Sequence, residues 1–225
     1  MKKLYSILHS VMLVGIVGTA IFLILSPDRV PIHWNAAGEI DGMGSKYVFL
    51  FAPLISLVTY ALFLLAAGSQ RNYGEAANER IIVYAGIGTL IFITVVNFPF
   101  MFKALKYEPL TAPKASLGEV GRFMTLGTGA LLIFLGNIMP KARRNAVFGV
   151  RTEWSMANDT VWQKTQRFGG IVSVVSGLVL ILLAPFLSGP WPAVGVMVVS
   201  AFLAAASIMA SRHYYLDDLR KKNEH

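Results

Sequence analysis

The sequence predicts an all-α, polytopic membrane protein with six transmembrane helices and both termini in the cytoplasm. Three observations lead there. Hydrophobic residues make up 55% of the 225-residue chain and charged ones only 14%, against roughly 25% charged in a soluble domain. Six apolar runs, each near the length of about 20 residues that a bilayer demands, recur along the chain. Of the twenty Lys and Arg, fourteen fall at the N-terminus, in the second and fourth connections and in the C-terminal tail. Cytoplasmic loops collect cations, so this asymmetry sets the orientation. The net charge of +8 would point to nucleic acid in a soluble chain. Here cationic inner loops account for it, and no direct nucleic-acid contact is expected.

The first span follows Lys2 and Lys3 and runs to about residue 25, too long for a secretory signal and read as uncleaved. Pro27 stops it, and residues 26–46 form an outward loop with the turn chemistry of Gly38, Asp41-Gly42 and Gly44. Ser45 is placed to cap the second span, residues 47–67. A polar link leads to the third, 81–102, where Asn97 and Pro99 mark an expected kink. A loop with Pro109, Pro113 and three lysines precedes the fourth, 123–140. After a long polar connection come the fifth (169–187) and sixth (191–211), joined by the tight Ser188-Gly189-Pro190 turn. The tail after Ser211 is expected to continue the last helix into water.

The spans argue against several chemistries. All twelve acidic residues are read as lying in loops or tails, and no Lys or Arg sits mid-span. A charge at a helix centre costs roughly 2.5–3.5 kcal/mol on insertion scales and usually marks an ion pathway, so ion-coupled transport is disfavoured. Cysteine is absent and the four histidines are scattered, which leaves no thiolate chemistry and no ligand-like spacing for a metal. There is no GxSxG, HExxH or P-loop motif, so no enzymatic activity and no cofactor are expected. Asn97 and Asn137 are read as interhelical hydrogen-bonding amides, and Gly15, Gly18, Gly127 and Gly129 as helix-packing glycines.

Two loops remain as candidate sites. In the fourth connection, Arg143, Arg144, Arg151, Lys164 and Arg167 interleave with Trp154, Trp162 and Phe168. One reading is a short helix from Asn158 or Asp159 lying in the membrane interface, with rings at headgroup depth and cations toward anionic lipid. The other is a docking surface for a cytoplasmic protein. The outward loop poses a matching choice. His33, Trp34 and Asn35 either grip a ligand, since Trp is a common recognition anchor, or belong to an aromatic belt.

At these loops the sequence resembles the SdpI family of immunity and signal-transducing membrane proteins. The carboxy-terminal part carries the resemblance through Asn145, Phe148-Gly149-Val150-Arg151-Thr152, Trp154-Ser155, Val161-Trp162 and Arg167. The amino-terminal part is similar to a companion domain of unknown function through Pro31-Ile32-His33-Trp34-Asn35, Gly38 and the Gly42 to Lys46 ending. Residues 1–67 then form a two-span module, 68–122 a third span with its flanks, and 123–225 the SdpI-like module. The resemblance implies a bacterial plasma-membrane protein that protects against an extracellular toxin peptide. It also implies signalling through a cytoplasmic transcriptional repressor held at the membrane. His33, Trp34 and Asn35 would then bind ligand outside, while Arg144, Asn145, Arg151, Thr152, Trp154, Trp162 and Arg167 would dock the partner inside. A small-solute or peptide transporter is the alternative, supported only by Pro53 and Pro99 within spans.

Overall fold

The computed structural model describes residues 1–35, 40–72, 74–107 and 118–224; Gly38, Pro109, Pro113 and His225 lie outside the described residues. Its main elements are α1 (Lys2–Leu25), β1 (Arg29–Trp34), β2 (Ile40–Ser45), α2 (Phe51–Asn72), α3 (Ala76–Leu105), α4 (Gly118–Ile138), α5 (Asp159–Leu183) and α6 (Trp191–Asn223). Among the described residues six helices, with their flanking 3-10 turns, are long and apolar enough to cross a bilayer, as the sequence predicts. Much of their large apolar surface is exposed, including Ile24, Leu65, Leu182 and Phe202. In water that would be a liability; in hydrocarbon it is the surface lipid covers.

Successive helices run in opposite directions. One end of the bundle gathers the start of α1, the α2–α3 connection, the 142–158 loop and the end of α6. The other gathers the β-hairpin, the start of α4 and the α5–α6 turn. Helices α1, α2 and α3 pack on one another, as do α4, α5 and α6, and α3 joins α4.

The closest approach is between α4 and α5, and it is made by glycine. A Cβ at Gly129 would stand 2.7 Å from the Gly177 carbonyl oxygen, and one at Gly136 the same distance from that of Gly170. In lipid, where burial gives helices no reason to associate, such close backbone contact gathers dispersion attraction. Gly15 faces Thr94 closely, but Gly18 has nothing near its missing Cβ, so it is not a packing glycine.

Four further sequence expectations are corrected. Residues 29–34 and 40–45 are not plain loop but the two antiparallel strands of a hairpin, with Arg29 opposite Ser45 and Trp34 opposite Ile40. Its glycines serve close approach: a Cβ at Gly42 would meet that of His33 at 2.8 Å. Val30 is buried in a cluster with Phe22, Phe49 and Ala104, which fixes the hairpin on the helix ends. Second, no separate interfacial helix precedes span five. Asn158 does cap the helix, its side chain accepting from Val161 N at 2.9 Å, but α5 then runs unbroken into the membrane because its first turns are covered by the loop. Third, the amides of Asn97 and Asn137 bond within their own helices, to Met101 Sδ and the Ile133 carbonyl. Fourth, Glu79 sits in the first turn of α3 and is only 4% exposed.

Other expectations hold: Ser45 accepts from Tyr47 N to open the second span, and α6 carries the tail to Asn223.

Candidate functional site

At the end of the bundle that carries the chain termini, residues 142–158 fold into a loop held almost wholly by side chains. Asn145, 7% exposed, works in both directions. Its Nδ2 donates to the Arg143 and Phe148 carbonyls, at 2.8 and 3.3 Å, and its Oδ1 accepts from Val147 N and Phe148 N, both at 2.8 Å. Gly149 follows at φ +112°, where a side chain would be strained and would strike Gln166. The fully buried Gln166 then clamps Val150 from both sides: Oε1 accepts from its N–H and Nε2 donates to its carbonyl, each at 2.9 Å.

Thr152 and Ser155 close the next turn. Thr152 N donates to Ser155 Oγ, Ser155 N to Thr152 Oγ1, and Ser155 Oγ to the Val150 carbonyl at 2.8 Å. The Thr152 and Ser211 hydroxyls share a bond that ties the loop to α6. Arg144 pairs with Asp159 at 2.9 Å and donates to the Met156 carbonyl. Trp162 is fully buried, its Nε1 donating to the Ala142 carbonyl at 2.7 Å.

The loop is also fastened to α3. Asn78 Oδ1 accepts from Arg143 N at 2.9 Å, and Phe148 packs against both the α1–α3 core and the Trp162 cluster. Beside it, Tyr5 donates to Glu79 at 2.9 Å and Arg71 pairs with Glu79 at 3.1 Å, joining α1, α2 and α3.

The inward candidates therefore separate. Arg144, Asn145, Thr152 and Trp162 spend their polar groups inside the loop, and Trp162 offers no surface to a partner. Arg151 and Arg167 are exposed, without a hydrogen bond or ion pair among the described residues, and Trp154 is half-buried between them in sequence. Gln166 was missed by sequence reasoning. Its signal is the stripe Trp162, Thr165, Gln166, Gly169 on one face of α5, where an amide among buried residues needs backbone partners.

At the opposite end the outward candidates split as well. His33 donates from Nδ1 to Asp41 at 2.5 Å across the hairpin and is exposed. Trp34 turns the other way, its ring 5.8 Å from that of Phe100. With Asn35 it lines a cavity of about 560 Å³ whose far walls are Gly121 and Met124 of α4 and Pro192 and Met197 of α6. Trp34 Nε1 is buried and has no hydrogen-bond partner among the described residues.

A six-helix membrane protein with a hairpin over one end and a side-chain-knit loop at the other is the class the geometry defines. Residues 141–211 match the model of the SdpI/YfhL protein family, and residues 11–57 that of a domain of unknown function (DUF1648). The first match spans the loop and α5–α6; the second holds the hairpin. Over the loop and most of α5–α6 the chain is thus similar to the SdpI family, and its six apolar helices make it a multi-pass membrane protein. It is 28% identical over 192 residues to the Immunity protein SdpI of Bacillus subtilis (strain 168), covering 84% of each chain. No solved structure matches it.

Proposed function

We propose that the protein is a membrane immunity protein that meets an extracellular toxin peptide at the hairpin and reports it through the 142–158 loop to a cytoplasmic repressor. The observation that carries this reading is the likeness to an immunity protein over 84% of both chains. Geometry supports it at both ends. Trp34 and Asn35 stand at a cavity shared by the hairpin, α4 and α6, so an occupant there would bear on how the two three-helix groups pack. The loop touches both groups, through Asn78 on one side and Ser211 on the other. A ligand shifts such packing only by binding its two arrangements with different affinity.

The test is survival of a sensitive bacterium expressing the chain and challenged with a panel of toxin peptides. Wild type should protect and Trp34→Ala should not, at equal membrane abundance. Arg151→Ala, exposed and without a partner, should insert normally and keep protection while losing the repressor. Failure of wild type against every peptide would overturn immunity. Protection unchanged in Trp34→Ala would remove the hairpin from it.

A further inference from the structure

A second cavity, of about 670 Å³, opens beside the loop, between the start of α3, the end of α4 and the first turn of α5. Its charged lining is Lys141, Arg143, Arg144, Glu75 and Asp159. Arg144 is committed to Asp159 at 2.9 Å, and Arg143 reaches Glu75 only at 3.5 Å. Lys141 is exposed and has no acidic partner among the described residues, and the exposed side chain of Gln163 has no bond there either. Three cations against two carboxylates leave one positive charge, together with a spare ammonium and a spare amide.

The cavity's depth is set by sequence. The apolar run of α4 ends at Ile138–Met139, the 3-10 turn Met139–Lys141 follows, and Lys141 is therefore the first charge past the hydrocarbon. Phosphates lie in that layer, about 5–8 Å thick on each side of the bilayer. Basic pockets between membrane helices are suited to headgroups.

We infer that this cavity binds the phosphate of an anionic phospholipid, held by Lys141 with Arg143 and Gln163. A phosphodiester carries one negative charge and neutralises the lining. Arg143 need not give up its long contact with Glu75, since the guanidinium has donors enough for both and binds phosphate oxygens well. The inference stands apart from the proposed immunity function, and neither side of the membrane needs to be specified for it.

Native mass spectrometry of the protein in detergent, with phosphatidylglycerol or phosphatidylcholine added, tests it. Wild type should retain phosphatidylglycerol in preference, and Lys141→Gln should retain it about tenfold less well, the loss of one charge-assisted contact. Arg220→Gln, which removes an exposed charge without an acidic partner among the described residues from the tail of α6, should retain it like wild type. Excess inorganic phosphate should not displace the lipid. Equal retention of both lipids, or no change in Lys141→Gln, would overturn the site. An equal loss in Arg220→Gln would reduce it to general charge attraction and overturn it too. Displacement by inorganic phosphate would assign the cavity to a soluble anion and overturn the lipid.

Discussion

Trp162 has one polar atom, and the fold uses it: Nε1 donates to the Ala142 carbonyl from a ring with no exposed surface. Asn145, Gln166 and Ser155 act the same way, each answering backbone groups that a loop of irregular shape would otherwise leave unpaired. The Arg-Thr-x-Trp-Ser run is thus a mixture. Thr152 and Ser155 build the turn, and Arg151 projects from it. Trp162→Phe keeps most of the ring's packing but orphans the Ala142 carbonyl, so it should cost about 1–3 kcal/mol. A lower thermal midpoint in detergent, with normal insertion, is the expected reading; an unchanged midpoint would mean the bond contributes nothing. At this scale the sequence was only partly legible. Residue types named the loop as special, but they did not separate the buried from the projecting side chains. Trp and Arg look alike in a motif whether they hold a loop or offer a surface.

At the scale of elements, hydrophobic runs were read well because lipid permits few alternatives: a span must satisfy its own backbone, and only a helix does so within one segment. The hairpin was missed for the opposite reason. Pro31, Gly42 and Gly44 depress strand propensity, yet the two glycines are what let β1 and β2 approach, with Gly42 facing His33 and Gly44 facing Ile32. The start of α5 is legible from Asn158, but its continuity with the span is not, because the irregular 142–158 loop shows no periodicity that would announce its folding back over those turns. Glu79 escapes because its partners Tyr5 and Arg71 come from other helices. The glycine seam of α4 and α5 carries an element-scale expectation. Gly177→Val would force side-chain atoms against the Gly129 backbone and Ile133, an overpacking cost of about 1–3 kcal/mol. Gly18→Val, with open space around it, should fold nearly as wild type. Recovery of monodisperse protein from membranes should fall for the first and not the second; equal recovery would show that the seam tolerates separation.

Over the whole molecule, the two ends differ in chemistry as the proposed function requires. One is a hairpin with a mostly apolar cavity beneath Trp34, the other a cation-rich loop whose hydrogen bonds reach α3 and α6. The hairpin and the loop lie at opposite ends of the same bundle. The distribution of Lys and Arg predicts that the loop end faces the cytoplasm, and the proposed outward sensor and inward reporter require that orientation. The chain contains no cysteine, so one can be introduced at a chosen point and read without background. Met43→Cys in β2 and Ala146→Cys in the loop are both exposed positions. Intact cells treated with a membrane-impermeant maleimide should label Met43→Cys at once and Ala146→Cys only after permeabilisation. The reverse pattern would place the hairpin in the cytoplasm and contradict the proposed sensing of an extracellular peptide there.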